Sequence, residues 1–282
     1  MSDTILLVDG LNLLFRAFFG IPARIPGSDG QTIHGVVGFV GALLKALARF
    51  RPTHLVVIFD HEDGSFRDTM DENYKSNRTI RSDEDPHSQL PYIHRALDHV
   101  GWKHCQTPGF EADDIIAAYV RRFESEAQII ILTTDSDLLQ LVKPGVSVFS
   151  PRGNEPVLYG PSEVEAKYGV APRFIPDLKA LTGDKTDNLA GVPGIGPKTA
   201  SDLIQRFGGV PEIFAGLDAI KSNLVQGKLI ANREQVLHNL LMIRLDQRTD
   251  LPFSLSELAI THESRQRKTM ELLRGARVAA PI

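Results

Sequence analysis

The hydrophobic positions in the first half of the chain fall in short continuous runs. Three runs are rich in aliphatic and β-branched residues and contain no polar position: Ile5–Val8, Leu55–Phe59 and Ile129–Leu132. Such a run is typical of a strand that is buried on both faces in a parallel sheet. Trp102–Gln106 and Val146–Phe149 are further strand candidates.

Helical stretches, among them Val36–Phe50 and Ile115–Phe123, separate these strands, so the order is β-α-β-α. We therefore predict a doubly wound α/β domain with a mainly parallel sheet over residues 1–170. From residue 171 the strand signal fades, and we expect a helical region over 171–260. A tail rich in arginine and glutamate follows at 261–282.

The segment from His61 to Pro91 interrupts the strand-and-helix pattern. It is polar, carries both signs of charge and has few apolar residues. Its composition alone is compatible with a solvated surface excursion. Long loops in compact domains, however, are usually functional or disordered.

Acidic residues follow the ends of the predicted strands. Asp9 follows the first strand, Asp60 the second, and Asp135 and Asp137 the third. A single strand-end aspartate is most simply a turn former or a helix cap. Three strand ends that carry acids to one edge of a parallel sheet instead predict a ligand site, because ligands bind at the carboxyl ends of the strands.

Two further groups of acids have a helical spacing. Glu111 and Asp114 flank Asp113 at the start of a predicted helix, and Asp184 and Asp187 repeat the same spacing. Acids in a first helical turn also stabilise the helix dipole. Oxygen ligands without histidine or cysteine favour Mg²⁺ or Mn²⁺. Nine acids are too many for one such ion, so we predict two ions that act on a phosphodiester.

Charge and composition narrow the function classes. The formal net charge is −4, and neutralising the nine acids leaves +5, which permits a nucleic-acid partner. Cys105 is the single cysteine, which excludes an intramolecular disulfide and a cysteine-rich zinc site. No apolar run approaches the roughly 18 residues of a membrane span, and the N-terminus lacks a secretory signal. We expect a cytoplasmic monomer without a membrane partner.

A glycine-rich turn lies in the predicted helical region. Gly194 and Gly196 allow close approach of a ligand to the backbone, and Pro197 suits the first position of a helix that continues through Ser201–Phe207. The free N–H groups at such a helix start bind phosphate. A simple helix–turn–helix connection is the alternative.

These motifs, in this order, resemble the 5′→3′ exonuclease domain of bacterial DNA polymerase I and the stand-alone flap endonucleases. The resemblance runs from Leu6 to about Phe253. Its motifs are Leu6-Leu-Val-Asp-Gly10, Leu14-Phe-Arg-Ala-Phe18, Val57-Ile-Phe-Asp60, Phe66-Arg-Asp68, Tyr74-Lys-Ser-Asn-Arg78, Glu111-Ala-Asp-Asp114 and Gly191-Val-Pro-Gly-Ile-Gly196. It implies a PIN-like nuclease core with a helical arch at about 61–91 and a helix-hairpin-helix DNA-binding subdomain. We expect no polymerase module.

The resemblance also implies roles for individual residues. A first metal cluster matches Asp9, Asp60, Glu111, Asp113 and Asp114, and a second matches Asp135, Asp137, Asp184 and Asp187. Lys75 and Arg78 from the arch, with Arg16, would lie against the scissile phosphate. DNA contacts are implied for Tyr74, Gly194, Ile195, Gly196, Pro197, Lys198 and Thr199. A K⁺ ion would be held by the backbone carbonyls of Leu181, Thr182, Ala190, Val192 and Ile195.

We therefore predict a structure-specific 5′ nuclease that hydrolyses DNA at single-stranded 5′ flaps or ends with two Mg²⁺ or Mn²⁺ ions. The alternative is a catalytically impaired junction-binding homologue of the exonuclease IX type. That type lacks several acids of the second cluster, whereas Asp184 and Asp187 are present here. A ribonuclease and a small-molecule phosphatase are weaker alternatives, because neither explains the glycine turn.

Overall fold

The computed structural model describes residues 3–27, 30–76, 85–151, 156–245 and 249–260. Arg78, residues 77–84 of the predicted arch and the tail 261–282 lie outside the described residues. The main strands are β1 (Asp3–Asp9), β2 (His54–Ile58), β3 (Lys103–Cys105), β4 (Ala127–Leu132), β5 (Val146–Ser150) and β6 (Val157–Tyr159). They form one sheet in the order β3-β2-β1-β4-β5-β6, in which only β6 pairs antiparallel.

The centre of the sheet positions the strand-end acids. From β1 the chain passes to β2 on one side, and it later returns to β4 on the other side. Asp9 pairs with Ile58 of β2, and Val8 pairs with Leu132 of β4. The three strands therefore end at the same level. Such a reversal of strand order opens a crevice at the carboxyl edge of the sheet, where ligands bind in open α/β folds.

Eleven α-helices are present in the described part of the chain. Six lie within residues 1–170: α1 (Gly10–Gly20), α2 (His34–Phe50), α3 (Phe66–Met70), α4 (Leu90–Val100), α5 (Ala112–Phe123) and α6 (Pro161–Tyr168). Five follow: α7 (Ile175–Thr182), α8 (Pro197–Phe207), α9 (Val210–Ala215), α10 (Asn223–Ala231) and α11 (Arg233–Ile243). A short antiparallel pair, β7 (Gly183–Asp184) and β8 (Leu189–Ala190), lies between α7 and α8. Of the helices described, none is both long enough and apolar enough to cross a lipid bilayer.

Two apolar layers cover the sheet. Ile5 and Leu7 of β1 face one layer, and Leu6 and Val8 face the other. The Leu6 layer contains α1, α2 and α4, whereas the Ile5 layer contains α5 and the helices α7 to α11. The predicted α/β architecture with a mainly parallel sheet is therefore confirmed. The C-terminal helices share a core with the sheet.

The polar segment His61–Pro91 is only partly a surface feature. Ser65 caps α3, because its side chain accepts from Arg67 N and its own N–H donates to Asp68 Oδ2 at 2.6 Å. Arg67 is 1% exposed, so α3 is anchored in the interior. The sequence carries the Ser65-x-x-Asp68 capping signal but no sign that Arg67 is buried.

Candidate metal centre and nucleic-acid site

Six carboxylates line a cavity of about 690 Å³ at the carboxyl edge of the sheet. We call five of them the first acid group, namely Asp9, Asp60, Glu111, Asp113 and Asp135, and the sixth belongs to the exposed Glu62. The cavity joins three strand ends to the start of α5. The predicted convergence of acids at this edge is therefore present in the fold.

Hydrogen bonds fix Asp9 at the end of β1. Its Oδ1 accepts from the backbone N–H of Asn12 at 3.2 Å, which caps α1, and its Oδ2 accepts from the Thr133 hydroxyl at 2.7 Å. A Cβ on Gly10 would lie 2.3 Å from the Phe59 ring. Glycine is therefore required for the chain to turn from β1 into α1 at this point.

The helix start and the loop after β4 orient the other acids. Asp60 Oδ1 accepts from the backbone N–H of Ala112 at 2.7 Å, which ties the end of β2 to the start of α5. The backbone N–H of Asp135 donates to Thr133 Oγ1 at 2.9 Å. Thr133, which the sequence did not single out, thus supports both Asp9 and Asp135. A lone threonine after a strand carries no sequence signal for this role.

The first acid group concentrates negative charge. Burial, and next the charge of Asp60, raise the pKa of Asp9 to about 7. Burial and the neighbouring Asp135 and Asp9 hold the pKa of Asp113 well above its ordinary value. Within the described ranges, Asp9, Asp113 and Asp135 form no ion pair with lysine or arginine. This set of oxygen donors fits a divalent cation.

A second acid group consists of Asp137, Asp184 and Asp187. One carboxylate oxygen from each lies within 4.8 Å of the others, so the three could hold a metal ion. The Lys179 ammonium, on α7, contacts Asp137 and lies 2.7 Å from Asp184 Oδ2. Burial raises the pKa of Asp137 to about 7 in spite of Lys179. At Asp184 burial acts in the same direction, but Lys179 and the backbone N–H groups of Thr186 and Asp187 together lower the pKa.

Asp135 lies between the two groups. Its charge raises the pKa of Asp9 and Asp113 and also that of Asp137. It lines the large cavity and also a smaller one beside Asp137 and Asp187. The resemblance placed Asp135 in the second cluster, whereas the structure places it at the boundary with the first group.

Asp114 points away from the first acid group, contrary to the expected cluster. Its two carboxylate oxygens accept from Arg67 at 2.6 and 2.9 Å, and its side chain is fully buried. Arg67 also donates to the carbonyls of Met242 at 2.7 Å and Arg244 at 3.0 Å. Because both oxygens of Asp114 are engaged, we assign it to the junction between α5 and α11 and not to a metal.

Tyr74 and Lys75 converge on Glu111. Tyr74 is 7% exposed, and its hydroxyl donates to Glu111 Oε2 at 3.3 Å. Burial raises the pKa of Tyr74, so the phenol stays protonated and acts as a donor. Lys75 Nζ lies 2.5 Å from Glu111 Oε1. Tyr74 was expected to contact DNA, but its burial makes it a support for Glu111.

Arg16 and Arg78 are the other two residues that were predicted to contact the scissile phosphate. The Arg16 guanidinium donates to the carbonyl of Pro151, just beyond β5. Arg78 lies outside the described residues. The lining of the large cavity also has an apolar part that contains Leu11, Phe15 and Phe19, of which Phe19 is 61% exposed.

The glycine turn follows the β7–β8 pair. A Cβ on Gly191 would lie 2.2 Å from the carbonyl carbon of Thr182, so the two segments approach as closely as glycine permits. Gly194 adopts φ +75°, a left-handed conformation that favours glycine. Of the predicted DNA contacts in this turn, Ile195 is buried and Thr199 half-buried. The exposed ones are Gly194, Gly196, Pro197 and Lys198.

The carbonyls proposed for K⁺ differ in their hydrogen bonding. The carbonyl of Ala190 accepts from Asn239 Nδ2 at 2.8 Å and from Gln235 Nε2 at 3.0 Å. Two donors occupy both lone pairs of a carbonyl oxygen. Leu181 and Val192 each accept one backbone bond. Ala190 is therefore a poor K⁺ ligand, whereas Leu181, Val192, Thr182 and Ile195 stay candidates.

Sequence reasoning missed three residues that shape this site besides Thr133. Arg67 neutralises Asp114, and Lys179 offsets part of the charge of the second acid group. Asn188 bonds to the turn that carries Lys75. Lys179 had a usable signal, because it lies between the apolar positions Leu178 and Leu181 of a predicted helical region. Arg67 and Asn188 had none.

Two family models match the chain. One is described as the 5′-3′ exonuclease, N-terminal resolvase-like domain, and matches residues 4–169. The other is described as the 5′-3′ exonuclease, C-terminal SAM fold, and matches residues 170–266. Together they cover nearly all of the described residues.

Curated relatives are bacterial DNA polymerases. DNA polymerase I of Rhizobium leguminosarum is 38% identical over 275 residues, which is 93% of this chain. DNA polymerase I of Deinococcus radiodurans is 37% identical over 261 residues, or 91% of this chain. The chain spans only 26% and 27% of the length of these two relatives.

Solved structures share the fold over nearly the whole chain. A T5 protein co-crystallised with metal ions has a TM-score of 0.72 at 24% identity and covers 97% of this chain and 99% of its own. The T5 5′-exonuclease with bound zinc has the same TM-score and coverage at 22% identity. The catalytic core of Rad2 with a DNA substrate has a TM-score of 0.56 at 17% identity, covering 96% and 93%.

Proposed function

Because the chain belongs to the 5′-3′ exonuclease family, we propose that its acid-lined cavity hydrolyses DNA phosphodiester bonds at 5′ flaps and 5′ ends. The observation that carries this proposal is the first acid group at the sheet edge, where buried carboxylates raise one another's pKa. Such a site needs cations to function at neutral pH, and it has the oxygen ligands that Mg²⁺ and Mn²⁺ prefer.

We assign one ion to each acid group, with Asp135 between them. Asp9, Asp60, Glu111 and Asp113 would hold the first ion, and Asp137, Asp184 and Asp187 the second. Bound ions supply Lewis acidity toward the phosphate, lower the pKa of an attacking water and stabilise the leaving oxygen. The chain itself orients these ligands through Thr133 and the start of α5.

Lys75 is placed to bind the phosphate that is cut. Its ammonium now pairs with Glu111 at 2.5 Å, beside the large cavity. A cation at the first acid group would compete for Glu111 and release Lys75 toward a phosphate oxygen. We assign the same class of contact to Arg78 and Arg16. The family resemblance supports both assignments, and Arg16 lies on α1, the helix that begins directly after Asp9.

The substrate is DNA with a single-stranded 5′ flap or end. The apolar wall of Phe15 and Phe19 suits an unpaired base, because aromatic rings stack on any base. The exposed glycine turn, with Lys198 at the start of α8, suits a duplex phosphate. K⁺ at the carbonyls of the same turn would add charge for that phosphate.

We further propose that residues 1–170 act as the nuclease core and 171–260 as the DNA-gripping subdomain. The protein would act as a cytoplasmic monomer on replication and repair intermediates. Support comes from the DNA polymerases among its relatives.

Product mapping on an end-labelled 5′ flap tests the proposal. With Mg²⁺ or Mn²⁺ the protein should release a fragment and leave a 5′-phosphate on the trimmed strand, and EDTA should abolish release. A matched RNA flap distinguishes a ribonuclease. Folded protein that binds the flap but cuts neither DNA nor RNA with either ion would contradict the nuclease assignment and favour an impaired junction binder.

A further inference from the structure

Two left-handed residues face each other across the site. Lys75 has φ +55° and Asn188 has φ +59°, and in the described ranges only Arg51 shares this conformation among non-glycine residues. Asparagine tolerates the left-handed region, but lysine rarely adopts it. A lysine is held in such a conformation only where its surroundings enforce it. The contacts around Lys75 therefore matter for the site.

Asn188 fastens the turn that carries Lys75. Its Nδ2 donates to the carbonyl of Asn73 at 2.9 Å and to the Ser76 hydroxyl at 3.1 Å. In parallel, the backbone N–H of Lys75 donates to the carbonyl of Asp187 at 3.2 Å. Residues 73–76 are thus bonded on both sides of Lys75 to the loop that bears the second acid group.

The same short turn also reaches the first acid group. Lys75 Nζ and the Tyr74 hydroxyl both contact the Glu111 carboxylate. The backbone of the turn is therefore fixed by the second group, and its side chains touch the first. A shift of the Asp184–Asp187 loop on cation binding would move the point from which the Lys75 ammonium extends.

We propose that Asn188 is a positioning residue that couples the two acid groups. It locks the Lys75 turn to the Asp187 loop, so that a divalent cation at the second group also determines where the Lys75 ammonium lies. This inference rests on the proposed function and adds to it an order between metal binding and phosphate capture. In this role Asn188 acts through the Lys75 turn, to which its side chain is hydrogen-bonded.

The chemistry of Asn188 allows a clean substitution. Asn188→Gly keeps the left-handed backbone, which glycine adopts without strain, and removes both side-chain donors. Arg51→Gly is the matched control, because Arg51 is a left-handed residue at the end of α2 and lines none of the site cavities. Both variants should unfold at temperatures close to that of the wild type.

Hydrogen exchange with the metal alone tests the coupling without DNA. Adding Mg²⁺ should increase the protection of amides in the peptide covering residues 71–76 in the wild type and in Arg51→Gly. Asn188→Gly should lose this increase while still binding Mn²⁺ at the second group. An equal increase in Asn188→Gly would overturn the proposal.

A double-mutant cycle tests whether Asn188 acts through Lys75. Single-turnover cleavage of a 5′ flap should fall about tenfold in Asn188→Gly, as two neutral hydrogen bonds are lost. In a Lys75→Ala background the same substitution should have no further effect, because residues that act through one another are not additive. A full additional loss would show a merely structural role and overturn the proposal.

Measurements on the wild-type protein distinguish a failure of the proposed function from a failure of the coupling through Asn188. If it neither binds Mn²⁺ nor cleaves, both the proposed function and this coupling are refuted. If it does both and Asn188→Gly behaves as the wild type does, only the coupling is refuted.

Discussion

The two acid groups contain similar residues but balance their charge differently. The first group contains five carboxylates. Glu111 has a lysine partner, whereas Asp9, Asp113 and Asp135 have no lysine or arginine partner within the described residues. The second group has three carboxylates and a half-buried lysine, Lys179, between two of them. The first group therefore offers an uncompensated site for an external cation, whereas the second already contains part of its counter-charge.

Neighbouring residues show how local this difference is. Asp113 and Asp114 are adjacent on α5, yet Asp113 lines the cavity and Asp114 is neutralised by Arg67. Two consecutive positions on α5 therefore point in different directions, so that one acid is a candidate metal ligand and the other forms a structural ion pair. The presence of a buried cation, and not the spacing of the acids, decides which role each carboxylate takes.

The largest effect is expected from breaking the Arg67 pair. Asp114→Asn would leave the buried Arg67 guanidinium without its bidentate partner and with only the Glu111 carboxylate, 3.4 Å away, as counter-charge. Breaking a buried pair in this way costs about 3–5 kcal/mol of unfolding free energy. Urea unfolding measures this loss. Glu163→Gln, at an exposed helix cap, is the control and should leave the urea midpoint nearly unchanged. A small loss in Asp114→Asn would mean that Asp114 does not serve mainly to neutralise Arg67.

The next effect concerns the group without an internal cation. Asp113→Asn should lower single-turnover cleavage of a 5′ flap by at least about a hundredfold, since even outer-shell changes at metal sites cost 10–100-fold. Flap binding without metal should persist or strengthen, because one negative charge near the DNA is removed. Cleavage near the wild-type rate would exclude Asp113 from the metal centre.

Removing the internal cation should make the second group more like the first. Lys179→Met deletes a positive charge that competes with a divalent ion, so we expect Mn²⁺ to bind the second group about tenfold more tightly. Paramagnetic resonance of free Mn²⁺ reports this affinity. Lys143→Met, which removes a partner of Glu124 away from both groups, is the control. Unchanged or weaker binding would contradict the role given to Lys179.

The last effect is a pH dependence that both groups share. The pKa of Asp9 and of Asp137 is raised to about 7, so the folded, metal-free protein binds protons that the unfolded chain releases. Its stability should therefore fall as pH rises from about 4 to about 7. Mg²⁺ should raise the melting temperature more at about pH 8 than at about pH 6. A metal-free melting temperature that rises over this range would contradict these pKa shifts.

The sequence predicted the sheet and the convergence of its acids because both follow from local pattern. Continuous apolar runs such as Ile129–Leu132 specify buried parallel strands, and acids after them must share one edge. It did not predict which acids Arg67 and Lys179 pair with, although the position of Lys179 between Leu178 and Leu181 suggested that this lysine is partly buried. Their partners are distant in the chain or on another element. A polar segment such as that around Arg67 is predicted from its composition to lie at the surface.

The role of Tyr74 shows the same limit. A tyrosine next to lysine and near arginine in the sequence suggests a contact with DNA. In the structure, however, the ring of Tyr74 is buried and its hydroxyl donates to Glu111. The antiparallel edge strand β6 was also not predicted, since Val157–Tyr159 is too short for a recognisable period. Burial that depends on packing between distant segments is what the sequence pattern alone does not specify.

The central claim is that the first acid group is the main metal centre of the protein. Titration of Mn²⁺ into the DNA-free protein, followed by paramagnetic resonance, tests it most directly with wild type and Asp113→Asn side by side. The wild type should bind one ion tightly and a second more weakly, and Asp113→Asn should lose the tight ion and retain the weak one. Retention of the tight ion in Asp113→Asn would contradict the claim.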